Sequence, residues 1–195
     1  MAETDCRKGP GASASPRLQS AGAGLSRTLY NFSRRATCSM QSPHIEQLAQ
    51  SFAALDESSK ASFCIWIAIQ VRDVLAPEEA QRVEISQAVA TLQAWEAGSP
   101  ITGDHLNEQL MNANDEGLYA YLDHELSGAN TAIEAVGGSV CYIAWMAYRR
   151  AGERLPDGID QVNDDFITWI VQQAVDCRAV TYEACLSAIR KLASR

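Results

Sequence analysis

The acidic residues between Arg82 and Arg149 are the part of this chain whose type and spacing most clearly suggest chemistry. No lysine or arginine lies between these two positions, yet the interval holds nine carboxylates: Glu84, Glu96, Asp104, Glu108, Asp115, Glu116, Asp123, Glu125 and Glu134. Like charges repel one another, so an unpaired block of this kind lowers the stability of the folded chain. It attracts a basic partner or a metal ion and repels nucleic acid and anionic membranes. A solvated face is the alternative, but helical surfaces usually intersperse opposite charges, so we favour a surface that faces a partner.

Metal binding is one chemistry that these acids could perform, because His105 and His124 lie among them. A metal site on a helix needs ligands three or four positions apart, as in the Glu-x-x-His pairs of di-iron bundles. His105 and Glu108 form the one pair with this spacing, and no histidine has a carboxylate three residues before it. The sequence therefore predicts no metal and no cofactor. A metal-dependent helical enzyme that uses both histidines stays open as an alternative.

Two further stretches resemble known site motifs without completing them. Asn112–Gly117 has the outline of a calcium loop, but an EF-hand needs aspartate first and glutamate twelfth, where this chain has Asn112 and Asp123. Gly137–Cys141 lacks the G-x-S-x-G spacing and the preceding strand of a nucleophile elbow. We interpret the first stretch as a helix-breaking turn and the second as a glycine pair that packs closely against another helix. The sequence predicts no catalytic residue.

The elements that must position the acidic block are helical almost throughout. Apolar residues recur at helical spacing, and no βαβ alternation or hairpin signal is present. The pattern predicts helices over the following segments: Pro43–Leu55, Ala61–Leu75, Pro77–Trp95, a short helix capped by Thr102, Leu118–Leu126, Gly128–Arg150, Phe166–Val175 capped by Asn163 or Asp164, and a last helix capped by Thr181. We therefore expect an all-α fold, a single compact domain of about seven helices packed around two apolar central helices.

Charge and composition divide the chain into two parts. Residues 1–40 hold six cations and two acids, for a net charge of +4. The whole chain carries −8, so the remaining 155 residues carry a net charge of −12. We predict that 1–40 is a disordered or non-native leader and that 41–195 is the helical domain. No apolar run approaches the roughly 20 residues that cross a bilayer, and the leader has no apolar signal core. These features predict a cytoplasmic protein.

Six cysteines are present, without zinc-ligand spacing. We interpret them as reduced thiols that behave as small apolar residues. A disulfide between Cys177 and Cys185, which flank a predicted turn between helices, remains open.

Two strings of residues resemble a known family. The first runs from Thr102 through Leu110 (TGDHLNEQL) to the NDEGL of residues 114–118, and the second is YIAWMAYRRAGERLP, residues 142–156, followed by Ile159, Val162 and Asp164-Asp165. Together they are similar to an all-helical immunity-protein family of bacterial polymorphic toxin systems, the one numbered six. The similarity extends from about Lys60 to Asp176. The chain departs from the family at Gly137-Gly138, where larger residues are expected, and in its leader.

The resemblance implies a non-enzymatic protein whose partner is a cognate protein toxin. An acidic inhibitor suits a basic toxin, such as a nuclease, whose active site or substrate channel it would cover. The residues expected to attract the toxin are Asp104, Glu108, Asp115, Glu116, Asp123 and Glu125. Tyr119, Tyr121 or Trp145, if exposed, would provide aromatic anchors. A helical assembly protein that acts as a homodimer is the principal alternative.

Overall fold

The computed structural model describes residues 43–75, 81–112, 116–122 and 128–195. Within these ranges the secondary structure is helical and no strand occurs, which confirms the predicted all-α fold. Seven α-helices are described: α1 Pro43–Ala53, α2 Glu57–Val74, α3 Arg82–Glu96, α4 Gly103–Leu110, α5 Gly128–Ala151, α6 Phe166–Asp176 and α7 Tyr182–Ala193. Two short 3-10 helices, Leu118–Tyr121 and Ile159–Gln161, lie between them.

Two helices form the centre of the bundle, as predicted. Helix α5 packs against α2, α3, α4 and α6, and helix α2 packs against α3, α5, α6 and α7. Their apolar residues include Phe63 and Ile67 of α2 and Ile133, Val136 and Tyr142 of α5, all with no solvent exposure. Because both helices are apolar on most of their circumference, they are stable only when other helices surround them.

A cluster of aromatic and charged side chains joins three of the helices. The Phe52 ring lies 5.7 Å from that of Phe63 and 5.6 Å from that of Tyr142. At its edge, Asp164 accepts a hydrogen bond of 2.7 Å from the Tyr142 hydroxyl and pairs with Lys60 Nζ at 2.6 Å. The carboxylate therefore ties the start of α6 to α2 and α5.

Local capping chemistry sets several helix boundaries. Asp56 accepts a 2.8 Å hydrogen bond from the Ser59 amide at the start of α2. Thr102 accepts one from the His105 amide at the start of α4, and Thr181 does the same for Ala184 at the start of α7, both at 3.2 Å. Such bonds satisfy amides that have no partner within the first helical turn. The predicted caps Thr102 and Thr181 are confirmed.

Of the two caps predicted for α6, Asn163 and Asp164, the second is wrong. No side chain caps this helix at Asp165, the residue before its first. The Asp164 carboxylate is instead bound to Lys60 and Tyr142, and Asn163 Oδ1 accepts from the Asp165 amide at 2.9 Å, within the turn before the helix. Asp164 therefore makes tertiary contacts with Lys60 and Tyr142 instead of capping the helix.

The α-helix predicted over Leu118–Leu126 is also wrong in its described part. The chain forms a single 3-10 turn over Leu118–Tyr121 and becomes extended at Leu122, and residues 123–127 lie outside the described ranges. Gly117 enters this turn with φ of 119°, where a Cβ would lie 2.9 Å from two backbone oxygens of α4. The turn therefore begins from a backbone conformation that only glycine adopts there.

Several other predictions fall partly outside the described ranges. The proline-led start of the third helix at Pro77 does so, and α3 is described from Arg82. The leader, including Cys6 and Cys38, is also outside. Cys64, Cys141, Cys177 and Cys185 are free thiols. None of the described helices is both long and apolar enough to span a membrane.

Candidate functional site

A groove of about 500 Å³ lies between α3, α4 and the first 3-10 helix. Three carboxylates from three separate segments line it: Glu84 in the first turn of α3, Glu108 in α4 and Glu116 just before the 3-10 helix. Ala88 and Leu118, which are almost fully buried, also border it. We call this feature the acidic groove.

Helix geometry explains how α4 contributes to the groove. His105, Glu108 and Gln109 of α4 line it, and Asn112 lines it after the helix has ended. Glu108 and Gln109 follow His105 by three and four residues, so the three side chains lie on one face of the helix. The opposite face carries Leu106 and Leu110, which are fully buried. Packing of the apolar face against α5 therefore directs the polar face outward.

Hydrogen bonds hold two of the carboxylates in place. The Tyr121 hydroxyl donates to Glu84 Oε1 at 3.4 Å, which links the 3-10 helix to α3. Asn112 Nδ2 donates to Glu116 Oε2 at 3.3 Å, and the Glu116 amide donates to Asn112 Oδ1 at 3.2 Å. The Asn112 amide also donates to the Glu116 carbonyl at 2.8 Å. These bonds close the ends of the predicted Asn112–Gly117 turn, whose middle residues 113–115 are not described.

The groove carries negative charge without local compensation in the described part of the chain. The ion pairs there are Lys60–Asp164, Arg72–Asp73 and Arg150–Glu57. None of them includes a carboxylate of the groove, and the interval between Arg82 and Arg149 supplies no lysine or arginine. A cleft lined by one sign of charge concentrates the field and attracts a ligand of the opposite sign.

Tyr119 does not meet the exposure that its expected role as an anchor requires. Its side chain is 5% exposed, and its hydroxyl lies 3.7 Å from Cys141 Sγ. Burial raises the pKa of this phenol well above 10.0, and Cys141 adds to that effect, so the hydroxyl stays neutral. Its ring occupies the space that a side chain at Gly137 would fill. Tyr121, two residues later, is 39% exposed and lines the groove.

Asp104 is exposed but lies outside the lining of the acidic groove. It accepts a hydrogen bond of 2.5 Å from the Tyr148 hydroxyl. Burial raises the pKa of Tyr148, and the bond to Asp104 raises it further. A Cβ at the neighbouring Gly103 would lie 2.6 Å from the Tyr148 ring. Asp104 therefore helps to fasten the start of α4 to α5, which orients the helix that carries Glu108.

The remaining predicted residues divide between undescribed and half-buried positions. Asp115, Asp123 and Glu125 lie outside the described ranges, as does His124. Trp145 is half-buried, with the Arg149 guanidinium 4.6 Å from its ring centroid. The structure thus brings Glu108 and Glu116 together, and adds Glu84 and Tyr121 to them.

Nothing in the described site arranges nucleophilic or metal-binding groups. Among the described residues, no group of three histidine, cysteine or acidic side chains is placed to hold a metal ion. In the Gly137–Cys141 stretch, Ser139 Oγ donates to the Ala135 carbonyl at 3.0 Å within the core. Burial raises the pKa of Cys141 to about 12, so this thiol is protonated and unreactive at neutral pH.

The site residues that sequence reasoning missed are Gln87 and Gln109. Gln109 Nε2 donates to Thr91 Oγ1 at 2.6 Å, which bridges α4 to α3, while Gln109 Oε1 is buried and has no hydrogen-bond partner in the described structure. The polar stripe of His105, Glu108 and Gln109 was the available signal for Gln109, because its helical spacing places these side chains on one face.

Comparison with known proteins agrees with this architecture. The family model described as Immunity protein Imm6 matches residues 59–177. The matched span runs from the first turn of α2 to the end of α6, so it contains both central helices and all residues that line the acidic groove. No curated protein and no solved structure matches the chain.

Proposed function

The chain belongs to the Imm6 family of immunity proteins, and from that premise we propose that it binds and neutralises a cognate protein toxin through the acidic groove. The observation that carries this proposal is the convergence of Glu84, Glu108 and Glu116 from three segments on one cleft. No ion pair within the described structure neutralises them. A fold that keeps three like charges together accepts a cost in stability, and binding of a basic surface offsets that cost.

The negative charge of the groove is expected to contribute mainly to the rate of association and to selectivity among partners. Complementary potentials accelerate association and suppress wrong partners. An immunity protein must capture its toxin before the toxin acts, so rapid association has direct value. The toxin is expected to present a basic surface, as proteins that act on nucleic acid do, and the immunity protein to block its active site or substrate channel without catalysis of its own.

The interface also needs an anchor that excludes water. Interface energy concentrates in a few residues, with tyrosine, tryptophan and arginine enriched among them. Tyr121 is exposed at the groove and held there by its bond to Glu84. It therefore replaces Tyr119 as the proposed anchor.

Co-expression tests the function directly. A candidate toxin domain encoded beside this gene is expressed in bacteria with and without the full chain, and growth and co-purification are measured. Rescue with a co-purifying complex supports immunity. Toxicity that persists, with no complex formed, overturns it. Light scattering of the free protein over a range of concentrations then tests the homodimer alternative.

Charge reversal tests the groove. Glu108→Lys with Glu116→Lys should slow association strongly, and the loss should shrink as salt is added, because ions screen the steering field. The control is Glu46→Lys with Asp157→Lys, which makes the same change in net charge at exposed positions outside the groove. Equal association rates for the two double variants would show that net charge, and not the groove, attracts the toxin.

A further inference from the structure

A second groove, of about 400 Å³, lies between α2 and α7, and we call it the α7 groove. Trp66 of α2 and Leu192 of α7 line it and are half-buried apolar residues. Ala184, Ser187 and Lys191 of α7 also line it and are exposed. The groove is therefore open to a partner that lies along α7.

The residues that α7 contributes to this groove are arranged symmetrically along the helix. Four of them are Ala184, Ser187, Ala188 and Lys191. The last three follow Ala184 by three, four and seven residues, so all four lie on one face. Their midpoint falls between residues 187 and 188. An antiparallel copy of α7 centred at that point would place Lys191 against Ala184 and Ser187 against Ala188, so that each long side chain meets a small one.

The charges of α7 are also complementary to those of an antiparallel copy. Glu183 lies in the first turn of the helix, and Arg190 and Lys191 lie in the last. Antiparallel pairing brings the acidic turn of each copy beside the basic turn of the other. The stem of Lys191 then lies on Ala184 and its ammonium lies beside Glu183. None of these three charged residues takes part in an ion pair within the described part of the chain.

We propose that the α7 groove binds a second copy of this chain, with the two α7 helices antiparallel about a two-fold axis between Ser187 and Ala188. A contact of this symmetry uses the same surface on both copies, so it closes as a dimer. Trp66, at the α2 side of the groove, provides an aromatic residue of the type in which interface energy concentrates. Helix α7 lies beyond the span 59–177 that matches the family model, so membership of the family does not imply this contact.

The dimer is independent of the proposed toxin site. No residue lines both the α7 groove and the acidic groove. The contact between copies therefore uses no residue that lines the acidic groove, and each copy retains its own. Growth rescue tests immunity, whereas the mass of the free protein tests the dimer.

Sedimentation equilibrium of the full chain measures that mass. The experiment covers about 1 μM to about 1 mM, with reductant present to prevent disulfides between copies. The mass should rise with concentration from 21.2 kDa toward twice that value, since a contact made mainly by one helix of each copy belongs among the weak interfaces. A mass that stays at the monomer value would overturn the proposal. So would a mass that rises past the dimer, because a closed two-fold contact stops there.

Ser187→Arg locates the contact. Ser187 is exposed in the middle of α7, so the change should leave the fold intact, while the two-fold axis brings the two new charges together. The control is Ala90→Arg, which adds the same charge at an exposed position in the middle of α3, outside the lining of both grooves. The first variant should weaken the dimer at least about tenfold and the control should not, with thermal melting showing that both are folded. Equal dissociation constants for the two would refute the assignment to α7.

Exchanging the charges tests the antiparallel pairing. Glu183→Lys and Lys191→Glu, made singly, each replace attraction by repulsion at two symmetry-related places and should weaken the dimer about tenfold. The double variant restores opposite charges across the contact and should recover most of the wild-type affinity. It does so although it opposes the helix dipole, which the natural order of charges also suits. A double variant that dimerises no better than the single ones would show that these charges serve the helix alone, and the pairing would be wrong.

Discussion

Gly137→Ala should destabilise the fold, although alanine is the better helix former. A Cβ at this position would lie 2.5 Å from Tyr119 Cε1 and 2.8 Å from its hydroxyl. Carbon atoms pack best at about 3.5–4.0 Å, so the ring would have to move by about 1 Å. The ring is confined, because Tyr119 is 5% exposed and its hydroxyl contacts Cys141 Sγ.

The magnitude follows from two opposing effects. Alanine gains about 1 kcal/mol over glycine in a helix interior. Overpacking a core costs about 1–3 kcal/mol, and a contact as short as 2.5 Å belongs in the upper part of that range. The free energy of unfolding should therefore fall by about 1–2 kcal/mol. For a domain of this size each kcal/mol lowers the melting temperature by about 2–4 °C.

A double-mutant cycle measured by urea denaturation isolates the contact. Tyr119→Leu removes the ring, so in that background Gly137→Ala should stabilise the protein by about 1 kcal/mol, its helix propensity alone. The coupling energy should then be about 2–3 kcal/mol, the upper part of what neighbouring residues show. If Gly137→Ala has the same effect in both backgrounds, the tyrosine ring does not explain the glycine and the reasoning fails. Toxin binding should weaken in the single variant, since Leu118 and Tyr121 share the displaced 3-10 turn.

Two further stability predictions follow from buried polar groups. In the presence of reductant, urea midpoints should fall between pH 8 and pH 10. Burial raises the pKa of Cys141 from 9.0 to about 12, so its stabilisation is complete below about pH 9 and is lost as the pH rises toward 12. Cys141 alone should account for about 1.4 kcal/mol of the loss at pH 10, and a Cys141→Ala profile as steep as that of wild type would contradict this. Asp164→Ala should lower the free energy of unfolding by about 2 kcal/mol, because it leaves Lys60 and the Tyr142 hydroxyl without their acceptor. The exposed neighbour Asp165 provides the control, and an equal loss in Asp165→Ala would refute the role of the cluster.

Local chemistry made part of this fold predictable from the sequence. Thr102 and Thr181 each precede a run of apolar residues at helical spacing, and a threonine there has an amide to cap whatever the rest of the fold does. Asp164 shows the limit of such reasoning. Its partner Lys60 is 104 residues away, so no local pattern distinguishes a cap from a tertiary ion pair.

The candidate site was predictable in its charge but not in its shape. The acidic block identified Glu108 and Glu116, whereas their convergence with Glu84 depends on how α3 packs beside α4. The exposure of the two tyrosines in this segment could not be predicted from the sequence either. Tyr119 and Tyr121 are both aromatic residues of one short segment, and only the space left by Gly137 determines that the first is buried and the second faces the groove.

Removing charge from the groove should separate stability from function. Two like unit charges in water repel by at most about 1 kcal/mol even at close range, so Glu108→Gln with Glu116→Gln should raise the urea midpoint slightly at low salt, and the gain should vanish at high salt. The same variant should bind the toxin more slowly. Opposite effects on stability and on binding are expected of charges that are kept for recognition, since selection tolerates a stability cost where activity needs it. The control, Glu46→Gln with Asp157→Asn, removes the same amount of charge outside the groove. It should change the urea midpoint and the rate of toxin binding less than the groove variant does. A loss of stability in the groove variant would instead mean that these carboxylates hold the fold together, and their role in recognition would then lack its main physical support.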